Sequence, residues 1–165
     1  MPTARYPTAM KRLILLAGTH LATLAVGFAL GIYLLPILTA PPSPDEALLS
    51  EMAQSATYSA EIQKDLPGND ALHWGEGRIS LTATQIVHEG RLAPGPDYRL
   101  YLVPEFVDHE DAFTPLRDRS RMVGNIDTFG GFILDLPADT TLEDYTTVLI
   151  WCETFGEFIA AAQYR

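Results

Sequence analysis

The sequence predicts an all-β domain, an antiparallel β-sandwich or partly closed barrel of about eight strands, behind one N-terminal transmembrane helix and a short helix. A long uncharged apolar stretch opens the chain, and from Tyr58 onward short segments are separated by Gly, Pro, Asn and Asp. Two of these segments, 78–81 and 98–102, alternate apolar and polar residues. Such alternation buries one face of a strand and leaves the other in water, as in antiparallel sheets.

The first element, residues 13–38, is predicted to be a membrane anchor. Its 26 residues include no Asp, Glu, Lys or Arg. As a helix it would be about 39 Å long, more than the roughly 30 Å hydrocarbon core of a bilayer. Arg5, Lys11 and Arg12 precede it, so the positive-inside rule places residues 1–12 in the cytoplasm. The remainder is then extracytoplasmic, and the protein is a single-pass protein of the cell membrane.

A cleaved secretory signal is the alternative interpretation of this stretch. Its apolar region is normally about 7–15 residues and ends in small residues at the cleavage site. Here the run is longer, and its exit at Leu38-Thr39-Ala40 carries a bulky Leu38 and is followed by Pro41. These features favour an uncleaved signal anchor.

The charge of the remaining chain is strongly acidic. The residues beyond the anchor include 8 Lys and Arg and 21 Asp and Glu, which gives a formal charge of −13. A nucleic-acid-binding function is excluded, because phosphate backbones require a basic surface. One explanation of the acidity is that it keeps an exported domain soluble. The alternative is that the acidic surface binds a divalent cation or a basic partner.

Residues 39–56 are predicted to form a Pro-rich linker and a short helix. The Pro-rich part, 39–44, favours a stiff extended spacer that holds the domain away from the bilayer. Ser43, with Glu46 three residues later, matches a capping box, so a helix over about 44–54 is expected. Its apolar stripe, expected to dock on the β domain, consists of Leu48, Met52 and Ala56.

Residues 57–165 are predicted to be one β domain. The expected strands are Tyr58–Lys64, Gly75–Leu81, Gln85–Glu89, Tyr98–Val103, Met122–Asp127, Gly131–Leu136, Thr146–Cys152 and Glu157–Tyr164. The run 148–151 is apolar at every position, which predicts a central strand covered on both faces. The charged segment 104–121 is predicted to be a long loop, either functional or an insertion at a strand connection.

The order of several motifs resembles that of a known family. A Gly95-Pro96-Asp97 turn leads into a strand, Leu136-Pro137 follows, and Trp151-Cys152 comes last. Over about residues 57–164, this arrangement resembles the electron transfer DM thirteen domain family. The resemblance implies a small all-β extracytoplasmic domain whose single cysteine, here Cys152, is redox-active. Two segments depart from the family pattern: 74–77 and 104–121.

Cys152 is the leading site residue, and two interpretations of it stay open. As the only cysteine, it has no partner for an intramolecular disulfide. On its strand it shares a face with Val148 and Ile150, which predicts a buried small hydrophobe. A reactive thiol needs a cation or a helix N-terminus to stabilise its thiolate, whereas Glu153 would raise the pKa. The resemblance favours the redox interpretation.

The sequence predicts no metal site and no particular cofactor. Cys152 would need partners to hold a metal or haem, and no recognised ligand spacing is present. The residues considered as partners or as cationic neighbours of the thiol are His73, His88, His109, Met122 and Arg121. The acidic run 108–111 lacks the spacing of a calcium loop. Gly95, Pro96, Asp97 and Trp151 are predicted to be structural, and no nucleophile or triad context predicts a turnover enzyme.

Two functional hypotheses follow. In the first, the domain is a membrane-tethered redox or electron-transfer module that acts through Cys152 on a redox protein partner. In the second, it is a cell-surface binding or scaffolding domain, Cys152 is part of the core, and the acidic face or the 104–121 segment engages a partner or calcium.

Overall fold

The computed structural model describes residues 7–165, so Arg5 and the rest of the first six residues lie outside the described part. The helices are α1 (Thr8–Thr39), α2 (Glu46–Ala53) and α3 (Glu110–Phe113), with 3-10 helices at Thr114–Arg119 and Leu142–Asp144. The strands are β1 (Tyr58–Glu61), β2 (Gly75–Leu81), β3 (Gln85–Leu92), β4 (Tyr98–Val103), β5 (Arg121–Ile126), β6 (Phe132–Asp135), β7 (Thr147–Cys152) and β8 (Glu157–Gln163).

The strands form two four-stranded antiparallel sheets. The first has the order β1-β2-β3-β6 and the second β5-β4-β7-β8. The predicted antiparallel fold of eight strands is therefore confirmed in its sandwich form, and within residues 7–165 the two sheets do not form a closed barrel. Leu81 and Ile86 of the first sheet, with Leu100 and Ile150 of the second, belong to the core cluster between the sheets.

A second apolar cluster covers the outer face of the second sheet. Leu149 and Trp151 of β7 and Phe158 of β8 pack there against Val107 and Phe113. Every residue of β7 is buried, which confirms the prediction of a central strand covered on both faces. The prediction of a long loop over 104–121 is wrong for residues 110–119, which form α3 and a 3-10 helix, and the segment provides the cover.

Helix α1 includes the whole predicted anchor and is long and apolar enough to cross a membrane, by length and composition. It is compatible with a single-pass anchor or a signal anchor. The outer end of α1 lies beside the sandwich, since Leu35 and Pro36 of α1 line a cavity together with Gly95 and Pro96 of the sandwich.

Helix α2 docks on the sandwich, although one residue out of the predicted register. It begins at Glu46, and the Ser43 hydroxyl bonds Thr128 Oγ1 at 2.6 Å instead of capping the helix. Leu49 is 4% exposed, whereas Leu48 is 45% exposed. Leu49 lies against Gly131, and the missing Cβ of this glycine leaves room for the leucine side chain. Leu49 and not Leu48 therefore contacts the sandwich.

His88 is a fully buried polar side chain of β3. It pairs across the first sheet with Ile79 and Phe132, and its ring centroid lies 4.9 Å from that of Phe132. Nε2 donates to the backbone carbonyl of Glu76 at 3.1 Å. Burial lowers the pKa of His88, so the imidazole is neutral in the folded protein at pH 7.

Lowering the pH from 7.5 to 5 is expected to destabilise the fold through His88. Because its folded pKa lies below the usual 6.5, the unfolded chain takes up a proton where the folded chain does not, and stability falls below about pH 6.5. The loss is at most about 1.4 kcal/mol per pH unit. Urea unfolding at both pH values should show a smaller loss in His88→Gln than in the wild type. An equal loss would assign the pH dependence to other groups.

Candidate functional site

Cys152 lies at the end of β7 on the face between the sheets. It belongs to the same core cluster as Val148 and Ile150, as its position on the strand predicts. Its cross-strand partner is Tyr98, which lies directly opposite on the neighbouring strand β4. The cysteine is 2% exposed, so the sulfur is shielded from bulk water.

The sulfur contacts the backbone of two loops. Sγ donates to the carbonyl oxygen of Pro96 at 3.1 Å. Burial raises the pKa of the Cys152 thiol; the backbone N–H groups of Phe155 and Thr154 offset part of this, and the carboxylate of Asp97 adds to it. The thiol is therefore protonated at neutral pH.

The Gly95-Pro96-Asp97 turn fits tightly around the Cys152–Tyr98 pair. A Cβ at Gly95 would lie 2.8 Å from Tyr98 Cζ, so a glycine is needed beside this ring. Asp97 has φ 52°, in the left-handed region that Asp tolerates better than most residues. Its carbonyl oxygen accepts the backbone N–H of Glu153 at 3.0 Å, which ties this turn to the loop after Cys152.

A cavity of about 300 Å³ lies beside Cys152, between this end of the sandwich and α1. From the domain it is lined by Cys152, Gly95, Pro96, Tyr98, Leu72, His73, Pro94 and Phe155, and from α1 by Ala29, Ile32 and Tyr33. Most of these side chains are apolar. The polar side chains are those of Cys152, Tyr98, Tyr33 and His73, and Nδ1 of His73 lies 3.0 Å from Asp70 Oδ2.

Of the residues considered as partners of Cys152, His73 alone lines this cavity. His88 is buried within the first sheet, and His109 bonds Asp108 at 2.6 Å on the cover of the second sheet. Arg121 pairs with Asp139 at 2.5 Å, and Met122, on β5, is 43% exposed. Sequence reasoning therefore placed the thiol on the correct face but could not choose among its neighbours.

Trp151 points away from Cys152 into the outer cluster. Its ring centroid lies 4.9 Å from that of Phe113, which lies 5.2 Å from that of Tyr101. The Tyr101 hydroxyl donates to Glu153, which also pairs with Arg117. Glu153 is thus engaged on the outer face, and the carboxylates that raise the thiol pKa are those of Asp97 and Glu157.

The acidic run 108–111 is also used within the fold. Glu110 Oε1 accepts the backbone N–H of Phe158 at 3.0 Å, and Asp108 bonds His109. Over residues 7–165, no three His, Cys, Asp or Glu side chains lie close enough to hold a metal ion together. The run therefore holds the cover on the second sheet.

A family model described as Electron transfer DM13 matches residues 68–164, more than half of the 165-residue chain. The chain belongs to the Electron transfer DM13 family. The match includes Cys152, the turn at 95–97 and Trp151, whereas the residues of α1 that line the cavity precede it. Among curated proteins and among solved structures, no match to the chain was found.

Several residues that line this cavity carry no signal for it in the sequence. Tyr98 was assigned to an alternating strand, but its pairing with Cys152 depends on the register between β4 and β7. Leu72 and Phe155 lie in loops, where periodicity gives no signal. Ile32 and Tyr33 belong to a uniformly apolar helix, in which nothing marks the side that faces the domain.

Proposed function

We propose that this DM13 domain is an electron-transfer module held outside the cytoplasm by α1, and that Cys152 is its redox-active group. The family description supports an electron-transfer role. The observation that carries the assignment to Cys152 is the cavity of about 300 Å³, since the only thiol of the chain lines a space and is not enclosed on all sides by packed side chains.

Thiol exchange is the step that this thiol can perform without a further group. Cys152 attacks one sulfur of a disulfide in a redox partner protein and a mixed disulfide forms. The partner's own S–S bond breaks, and its leaving sulfur takes the proton that Cys152 gives up. Because the resting thiol is protonated and bonded to Pro96, the loops at 94–97 and 153–156 must separate before the attack.

A second candidate function is a cell-surface binding or scaffolding domain in which Cys152 is structural. The burial of the side chain, 2% exposed, and its hydrogen bond to Pro96 favour this candidate. It requires no reaction at sulfur. In that case Cys152→Ser changes stability alone, and the acidic surface carries the binding function.

Native thiol labelling of the full chain in detergent micelles distinguishes the two functions. We expect N-ethylmaleimide, a small uncharged reagent, to label Cys152 in the folded protein. Since the thiolate reacts and burial raises the pKa of the Cys152 thiol above its ordinary value, the rate should rise about tenfold per pH unit up to at least about pH 8.5. The same reaction in urea gives the rate for the unfolded chain.

The electron-transfer assignment is abandoned if the folded thiol stays silent over this pH range and the purified protein shows no visible absorption. A rate that levels off well below about pH 8.5 would contradict the raised pKa. Electron exchange with a redox partner should be lost in Cys152→Ser. The matched control Thr154→Ser changes a hydroxyl residue in the adjoining loop and should keep the exchange.

A further inference from the structure

The end of the sandwich that carries the Cys152 cavity exposes large apolar side chains. Outside α1, four large apolar residues of the described chain are exposed: Leu48, Leu72, Met122 and Phe155. Leu72 is 57% exposed and Phe155 50%, and both line the Cys152 cavity. They belong to two loops far apart in sequence that the fold brings to one edge.

This edge is continuous with the outer part of α1. Ile32 and Tyr33 line the same cavity as Leu72 and Phe155. A helix rises 1.5 Å per residue, so the 20 residues after Leu13 bring the chain to Tyr33 across about 30 Å, the thickness of the hydrocarbon core. If the helix enters the core at Leu13, Tyr33 lies at its outer boundary, the depth at which tyrosines are enriched.

Whatever contacts α1 at Ile32 and Tyr33 must lie at the same depth. We propose that the edge formed by Leu72 and Phe155 is a membrane-contacting surface, seated in the headgroup region of the outer leaflet. The inference rests on the anchor in the proposed function but not on the chemistry of Cys152. The occupant of the surface is the lipid bilayer.

The charges at this edge are compatible with such seating on a zwitterionic bilayer. Asp70 lies against His73, and Asp97 pairs with Arg99 at 3.1 Å. The chain beyond the anchor nevertheless has a formal charge of −13, which would be repelled by anionic lipid. The contact is therefore apolar, and phosphatidylcholine is the suitable lipid for its test.

The test measures the depth of single nitroxide labels on the full chain in phosphatidylcholine nanodiscs. In a Cys152→Ser background, Leu72→Cys and Phe155→Cys each place one label at the edge. Ala83→Cys places a matched label on the exposed turn between β2 and β3, at the opposite end of the strands. Leu24→Cys places one at the middle of α1. A Cys152→Ala background repeats the series, so that the result does not depend on one substitution.

We expect the ratio of collision rates with oxygen, which is apolar, and with a polar nickel chelate to be several-fold higher for the labels at 72 and 155 than at 83. Equal ratios at these three positions, with a lipid-embedded label at 24, would overturn the membrane contact and leave the anchor intact. A water-exposed label at 24 would overturn the anchor and the contact together. Neither outcome bears on the reactivity of Cys152.

Discussion

Replacing Phe113 by alanine is expected to lower the free energy of unfolding by about 3–5 kcal/mol, the usual cost of truncating a buried phenylalanine. Phe113 is 0% exposed and lies between the rings of Tyr101 and Trp151 on the outer face of the second sheet. Urea unfolding of the full chain in micelles, followed by circular dichroism of the β domain, measures the change.

Met122→Ala is the matched control, because it removes a large apolar side chain from an exposed position on β5 that belongs to neither apolar cluster. Its cost in micelles should be within about 0.5 kcal/mol. If Phe113→Ala cost no more than this control, the 104–121 segment would not be a structural cover. The interpretation of this segment as a long loop, functional or inserted at a strand connection, would then return.

The 104–121 segment also illustrates what the sequence could and could not predict. The run 148–151 required a cover on both faces of β7, and the structure has one. Which segment supplies it was not predictable, because α3 and the following 3-10 helix span only 110–119 and are too short to show helical periodicity. The charged residues of the segment suggested a loop, whereas its apolar residues determine its position.

The strands were predictable for the opposite reason. Period-two alternation in β2 and β4 and the Gly, Pro and Asn breaks between segments are local signals, and the eight observed strands lie close to the predicted ones. The side of the sheet that Cys152 faces followed from the same period. The sequence signals for the buried face of α2 were weaker. Leu48 was predicted to contact the sandwich, whereas the structure buries Leu49, the next residue.

The environment of the thiol could not be predicted in this way. Its pKa depends on burial, on backbone N–H groups at 154–155 and on the carboxylate of Asp97, which meet only after β4 and β7 pair. The adjacent Glu153, which the sequence suggested as a group that raises the thiol pKa, bonds Tyr101 on the outer face. Neighbours in the chain are on opposite faces of a strand, so sequence proximity misled the electrostatic argument.

Replacing Gly77 by alanine is the second change expected to have a large effect. Gly77 has φ 112°, a conformation that side chains rarely adopt, and it pairs directly with Gly90. A Cβ there would lie 2.6 Å from Gly90 Cα and closer still to the carbonyl oxygen of Glu89. The strained conformation costs about 1–3 kcal/mol and the overpacking about 1–3 more, so a loss of roughly 2–6 kcal/mol is expected.

Gly124→Ala is the control for this substitution, because a Cβ at Gly124 would meet only Leu134 side-chain atoms at 3.6 and 3.8 Å, ordinary contact distances. It should change stability by less than about 1 kcal/mol. The same urea titration measures both variants, and similar small losses would show that β2 and β3 can separate at Gly77 without cost.

Gly77 is also linked to the buried His88 through the residue that precedes it. Its unusual backbone follows Glu76, whose carbonyl oxygen accepts the bond from the buried His88 ring. An alanine that moves this peptide would leave His88 Nε2 without its acceptor, and an unpaired buried donor adds about 1–3 kcal/mol. The loss in Gly77→Ala should therefore be smaller when His88 is already Phe, because an apolar ring needs no acceptor there. Equal losses in the two backgrounds would show that the two positions act independently.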